Sequence, residues 1–366
     1  MGSAVKAAEQ LSRRHEVLAV TTGRTIREDV VSPTLRVISS AGLLLPDPVN
    51  YVISPQCLLE VVRRIRSFQP DVVIVNKFMF FTSLSAPIAR WLGKPTVIMT
   101  DTYPGLNWFP RNRLVAGVMW LYARLVGVPL LRSADRVVLL HGGLVATARR
   151  YGLQHTVIHN GIDLEEVDRV QPAADLSKPE GEFWLAYVGR LESVKGYDFL
   201  LSAVERLRKK FPGLRTFFVG ATAPSRPAMM AEAERAGVTF LGFRDDVLAV
   251  LKHMDLFCLP SLNEGLPNAL MEAMATRCAC VASAVGGVRE LVSDGEQGLL
   301  TPPGDVDAIE VALARLLDDR ELRLRLGRAA RRRIESEFDW RLLVEEYDRL
   351  FEELTHPDTG LSAAGA

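Results

Sequence analysis

The chain has 366 residues, 48% of them hydrophobic and 24% charged, and its 44 basic side chains balance 44 acidic ones for a formal net charge of zero. This composition excludes a disordered, collagen-like or coiled-coil chain, and the zero balance argues against a nucleic-acid partner or an acidic solvating tail. The length suits two domains of about 150–200 residues, each closing its own core.

The opening MGSAVKAAEQLSRRHE lacks an apolar segment and is not read as a signal peptide. Short β-branched runs then alternate with helical patterns. In the first half the runs are EVLAVTTG (16–23), LRVISS (35–40), DVVIVNK (71–77), PTVIMTD (95–101), DRVVLLH (135–141) and HTVIHN (155–160). In the second half they are FWLAYVG (183–189), RTFFVG (215–220), VTFLGF (238–243), DLFCLPS (255–261), ACVAS (279–283) and GLLTP (298–302). Continuous apolar runs of this kind suit parallel strands buried on both faces, hence two doubly wound α/β domains. GIDLEEVDRVQPAADLSKPEGE (161–182) is polar, holds two prolines and reads as the seam. The expected layout is an N-terminal domain over 1–165 and a C-terminal domain over 178–338. A last helix covers 339–354, and a frayed tail covers 355–366.

The most apolar long stretch, LVAGVMWLYARLVGVPLL (114–131), includes Arg124 and Pro129 and falls short of a clean membrane span. With Trp108, Phe109, Arg111 and Arg113 before it, the region 107–132 suits a membrane-surface contact; a core helix is the plain alternative. The four cysteines are Cys57, Cys258, Cys278 and Cys280; three lie in apolar runs, which suits a reducing compartment. A cytoplasmic protein is expected, with peripheral contact at the inner face of the membrane. No Cys/His cluster has zinc spacing, and no metal site is expected. Asp305-Val-Asp307 has a metal-binding spelling but sits at a helix start and reads as a cap.

Two segments carry chemistry. In PSLNEGLPNALMEAMA (260–275) a strand end leads through a Gly-bearing loop into a helix starting at Pro267, and amides near Asn268 and Ala269 make an anion site. Glu264 precedes that helix and Glu272 lies in its second turn. Carboxylates repel phosphate, so these two should contact hydroxyls, which together with a phosphate describe a sugar nucleotide. The plain alternative is a helix with an acidic loop at its start. In AYVGRLESVKG (186–196) the strand ends at Gly189, and Arg190 and Lys195 follow in one loop. A guanidinium and an ammonium so placed suit a diphosphate, or else a solvated charged loop.

Together these segments resemble the retaining nucleotide-sugar glycosyltransferases of the GT-B fold, family 4. FLGFRDDV, VASAVGGVRELVSDGEQGLLTPPGD, the closing FDW and, in the first half, IHNGID (158–163) extend the resemblance over nearly the whole chain. The resemblance implies that Arg190 and Lys195 hold the donor diphosphate, near Gly189. Glu264 would contact the transferred sugar as a catalytic residue, and Glu272 the ribose. Amides around Gly265, Leu266, Asn268 and Ala269 would hold oxygens. It also implies that the last helix returns to the first domain. The implied reaction is front-face transfer with retention, from a nucleoside-diphosphate sugar to a glycan or lipid-linked acceptor in cell-envelope or glycolipid synthesis. No cofactor or metal takes part.

The sequence departs from that family in places. A first strand and Gly-rich loop are usual at the start; here Gly2-Ser3-Ala4 is similar to the end of such a loop, so the strand is expected to be missing. Gly2 and His141 are candidates on the acceptor or sugar side, His141 with a structural alternative. After PTVIM a His is usual, whereas this chain has Asp101, a catalytic candidate with a strand-end turn as its alternative. Thr276-Arg277 stands where a Gly is common. Two other functions stay open: a sugar-nucleotide epimerase of GT-B architecture, and a truncated non-catalytic sugar-nucleotide-binding protein.

Overall fold

A computed structural model describes residues 3–23, 25–45, 51–78, 81–106, 113–220, 233–234 and 237–356. The chain divides into two compact units, Met1–Asn160 with Arg341–Ala366, and Gly161–Trp340.

In the first unit the strands are β1 (Val17–Gly23), β2 (Arg27–Ser32), β3 (Leu35–Ala41), β4 (Leu43–Leu45), β5 (Tyr51–Ile53), β6 (Val73–Asn76), β7 (Thr96–Thr100), β8 (Arg136–Leu139) and β9 (His155–Val157). They form sheets ordered β1-β3-β2, β4-β5 and β6-β7-β8-β9. The four-stranded sheet is parallel throughout, and β7, TVIMT, is buried at every position. The sequence reading missed β2, which pairs antiparallel with β3 at the sheet edge. Its REDVVS is largely exposed, as suits an edge. Among the described residues no strand joins β1 to β6. Gly2 lies outside the described residues, and a helix, Ser3–Leu11, opens the fold.

The helix Trp340–Thr355 leaves the second unit at Trp340 and belongs to the first from Arg341 onward. Leu343, Val344, Tyr347 and Leu350 fall at helical spacing and are buried. Asp348 receives hydrogen bonds from Arg14 Nη1 at 2.7 Å and His15 Nε2 at 2.6 Å. Of the expected tail, Thr355 is still helical, and residues 357–366 lie outside the described set.

In the second unit β10 (Phe183–Val188), β11 (Leu214–Val219), β12 (Val238–Gly242), β13 (Leu256–Leu259), β14 (Ala279–Ser283) and β15 (Gly298–Thr301) form one parallel sheet, ordered β12-β11-β10-β13-β14-β15. Alternate residues of each strand feed two cores. Trp184, Ala186, Phe217 and Phe257 enter one, and Leu185, Tyr187, Phe218 and Leu256 the other. Helix Asn268–Ala275 covers the first core with Leu270, Met271 and Met274; helix Tyr197–Lys210 covers the second with Leu200, Val204 and Leu207. Residues 161–182 are not a bare linker. Asp163 caps the helix Leu164–Arg169 by accepting from the amides of Glu165 and Glu166, each at 3.1 Å. Ile162, Leu164, Val167 and Ala173 enter the first of these cores, so the segment is part of the second unit.

Candidate functional site

The chain order of the second sheet runs outward from β10 to β12, then returns to β13 and runs outward the other way. β10 and β13 are therefore the pair at which strand order reverses. Ligands of open α/β sheets bind beyond the carboxyl ends of such a pair. The loops leaving these two strands are the two chemistry-bearing segments of the sequence.

These loops are stitched together. The Leu262 amide donates to the Val194 carbonyl at 2.9 Å. Lys195 Nζ donates to both Glu264 oxygens, at 2.9 and 3.0 Å, and Ser261 Oγ donates to Glu264 Oε1 at 2.7 Å. The side chains of Lys195 and Glu264 are 23% and 9% exposed, so the pair is largely desolvated. Gly196 follows Lys195 at φ +65, and a Cβ there would lie 2.0 Å from the Pro260 carbonyl oxygen. Only glycine lets the β10 loop approach so closely.

A third loop, after β14, supports the same point. Gly287 N donates to Gly265 O at 2.9 Å. Gly286 has φ +46, and a Cβ there would lie 1.9 Å from the Glu264 carbonyl oxygen. Sequence reasoning missed Ser261 and Gly286 as parts of this site; the signal for the second was the GG pair in VASAVGGVRE.

Helix Asn268–Ala275 begins here, with Pro267 in extended conformation as its cap, one residue earlier than a helical position. The first helical acceptor is the Pro267 carbonyl, bonded by Met271 N at 3.2 Å. Asn268, Ala269 and Leu270 thus form the first turn, whose amides have no intrahelical acceptor. Glu272 is half-buried in the second turn. Arg277, past the helix end, adopts φ +66, the left-handed conformation a glycine would take without strain.

Arg190 pairs with a different carboxylate from Lys195. Its side chain, 68% exposed, pairs with Glu192 at 2.7 Å. Its carbonyl accepts from Tyr187 Oη at 2.9 Å, and burial pushes that phenol up from its ordinary range. Gly189 N donates to Val219 O at 2.9 Å, holding the strand end in the sheet. Asp305 accepts from Ala308 N at 2.9 Å as a helix cap, and Asp307 pairs with Arg206 at 2.6 Å. Among the described residues no cluster of three or more His, Cys, Asp or Glu could hold a metal.

The first unit has its own strand-end constellation. Asp101, just past β7, accepts from Lys77 Nζ at 2.9 Å on Oδ2, while its buried Oδ1 has no hydrogen-bond partner. His141, just past β8 and buried, lies with Nε2 3.0 Å from the Asp101 carbonyl oxygen. Lys77 directly follows β6 at φ +66, and its amide donates to Met99 O at 2.7 Å. Left-handed backbone at a non-glycine strand end is strain of a kind that gathers at functional sites. Sequence reasoning missed Lys77, whose only signal was a lone cation ending the run DVVIVNK. The carboxylate, ammonium and imidazole here can bind and orient hydroxyl groups.

The profile of Glycosyl transferases group 1 matches residues 170–333, and that of Glycosyltransferase Family 4 matches residues 3–166. Glycogen synthase of Mycobacterium tuberculosis (strain ATCC 25618 / H37Rv) is 30% identical over 292 residues, which cover 76% of this chain and 68% of that protein. Sucrose-phosphate synthase from Thermosynechococcus elongatus superposes with a TM-score of 0.76 at 23% identity, over 97% of this chain and 94% of that one. Anabaena HepE in complex with UDP and glucose superposes with a TM-score of 0.69 at 20% identity, over 87% and 86% of the two chains. The shared fold is GT-B.

Proposed function

The chain belongs to the group 1 glycosyltransferases, and on that footing we propose that it moves a sugar from a nucleoside-diphosphate sugar to a glycan or lipid-linked hydroxyl, with retention. The second unit binds the donor. Lys195 and Arg190 offset the diphosphate charge as it grows on the leaving group, once they turn from Glu264 and Glu192 to the phosphates. Glu264 and Glu272 accept hydrogen bonds from sugar and ribose hydroxyls. Amides of Gly265, Leu266, Asn268 and Ala269 meet anionic oxygens at the positive end of their helix. The acceptor oxygen bonds to the anomeric carbon on the face from which the phosphate leaves, and its proton passes to a leaving phosphate oxygen. The strand-end loops of the first unit, with Asp101, Lys77 and His141, serve the acceptor or sugar side.

The carrying observation is the Lys195–Glu264 pair at the reversal of strand order, beside the first turn of helix Asn268–Ala275. Ammonium, carboxylate and first-turn amides match the phosphate and the hydroxyls of one sugar nucleotide. The UDP and glucose of the HepE complex support a diphosphate donor, and the glycogen synthase relative supports a glycan acceptor. Cell-envelope or glycolipid synthesis in the cytoplasm is the setting we propose.

The test is a thermal-shift panel of UDP, GDP, ADP and their sugars, since binding to the folded state raises the melting point. At least one diphosphate should raise it; a flat panel overturns the donor assignment. Product anomeric configuration, read by NMR, then decides retention. The acid/base set Asp101, Lys77 and His141 also keeps an epimerase in view. Incubating donor alone separates the two, because an epimerase changes the sugar and a transferase only hydrolyses it.

A further inference from the structure

Helix Arg113–Tyr122 continues through the turn Ala123–Gly127 into Val128–Arg132. That middle turn is wound as a π-helix, with Val128 N bonded to Ala123 O. One stripe faces inward: Ala123, Gly127, Leu130 and Leu131 are buried, the last two in the first unit's core with Ile98 and Val137. The opposite side is apolar and bare. Val118, Leu121 and Leu125 are 65%, 50% and 67% exposed. Val118, Leu121, Tyr122 and Leu125 follow the i, i+3, i+4, i+7 spacing of one helical face. Trp120 is exposed next to this face, and the Arg124 guanidinium lies 4.5 Å over its ring. A contiguous patch of this kind marks a contact surface, whereas scattered exposed apolar residues do not.

We propose that this face docks on the surface of an anionic phospholipid bilayer. The helical stretch 113–132 carries three arginines, Arg113, Arg124 and Arg132, and not one acidic side chain, so the ridge's own helix is purely cationic. Apolar ridge, exposed Trp and Tyr, and arginines on the same helix are the components of a helix lying in the headgroup boundary. Charge also decides against a second copy of this chain. A two-fold contact through the same face would bring this arginine-bearing helix against its own copy, with no carboxylate on either helix to neutralise the added charge. The helix lies on the bilayer instead of crossing it, because a crossing would withdraw Leu130 and Leu131 from the core they fill. This inference is independent of the sugar-transfer reading.

The test is co-sedimentation of the full chain with vesicles of phosphatidylcholine alone, or of equal parts phosphatidylcholine and phosphatidylglycerol. Wild type should pellet with the anionic vesicles, less so at high salt, and stay in solution with phosphatidylcholine. Arg124→Gln should lower partitioning about fivefold, the worth of one cation near an anionic surface. Leu121→Asp with Leu125→Asp should abolish pelleting while leaving the melting temperature unchanged, because both side chains are exposed. Wild type that ignores anionic vesicles, or a double variant that pellets like wild type, overturns the proposal. So does a wild-type dimer in light scattering that the double variant converts to monomer, which would give the face to a second copy.

Discussion

Lys195 and Glu264 neutralise one another, Nζ lying 2.9 and 3.0 Å from the two carboxylate oxygens across loops that leave different strands. A diphosphate that takes the ammonium must compete with Glu264 for it, and a sugar hydroxyl donating to Glu264 then replaces what the carboxylate loses. On the proposed function, diphosphate and sugar binding are coupled through this one ion pair.

Lys195→Ala should weaken nucleoside diphosphate binding about tenfold or more, the worth of a hydrogen bond to a charged group. With Arg190→Ala added, binding should vanish; unchanged affinity for UDP and GDP in isothermal titration would refute the assignment. Lys195→Ala alone strands a largely buried carboxylate, and stranding one partner of such a pair costs up to about 3–5 kcal/mol. Adding Glu264→Gln should recover part of the lost melting temperature, a double-mutant signature of the pair.

Gly196→Ala tests the closeness of the two loops. The methyl group would sit 2.0 Å from Pro260 O at φ +65, so backbone must move, on top of the ~1–2 kcal/mol for a left-handed L-residue. The expected result is a lower melting temperature together with weaker diphosphate binding. Unchanged binding would mean that Lys195 keeps its place without this approach.

Lys77 separates strain from chemistry. Lys77→Gly and Lys77→Ala both remove the partner of Asp101, but only glycine accepts φ +66 freely. The glycine variant should be the more stable of the two by about 1–2 kcal/mol in urea titration. Both should lose acceptor turnover and keep donor affinity. Equal stabilities would show that the backbone relaxes without cost.

All twelve apolar runs singled out in the sequence become strands, most plainly β7, β13 and β14, which are buried at every position and so need an unbroken apolar segment. β2 escaped because REDVVS pairs at an exposed edge, where nothing demands apolar residues. Helix Leu164–Arg169 escaped because a short polar helix shows only Leu164 and Val167 to the core. The Glu264 and Lys195 loops were legible from strand-end position and residue chemistry. Lys77 was not, since its role comes from a backbone conformation and a partner 24 positions away, and neither leaves a local pattern.

The four cysteines, all buried free thiols, should be silent to Ellman's reagent in the native protein and all react in denaturant. Burial pushes the Cys278 thiol up to about 12 and raises Cys258 and Cys280 as well. The folded state thus favours the neutral thiols. Their contribution to stability is intact below the unfolded value of ~8.5 and is lost as pH rises toward the folded values. Melting temperature should fall across that alkaline window, and less steeply after Cys→Ala replacement of the three.

The acid limb should be governed in part by Asp348, which ties helix Trp340–Thr355 to the N-terminal segment. Burial raises its pKa, but hydrogen bonds from Arg14 and His15 outweigh that and hold it below the ordinary carboxylate range. A depressed folded value means stability that is present above the unfolded value of ~3.9 and is lost as pH falls through the folded one. Arg14 is half exposed and Asp348 is 25% exposed, so solvent screens the pair and its worth is small. Asp348→Asn should lower the melting temperature slightly at neutral pH and match wild type under strongly acidic conditions, where both side chains are uncharged. Because Tyr347 and Leu350 on the same helix remain buried, the variant should stay folded, and its loss should shrink in high salt. A loss that persists into acid would mean that packing around Asp348, and not its charge, holds the helix.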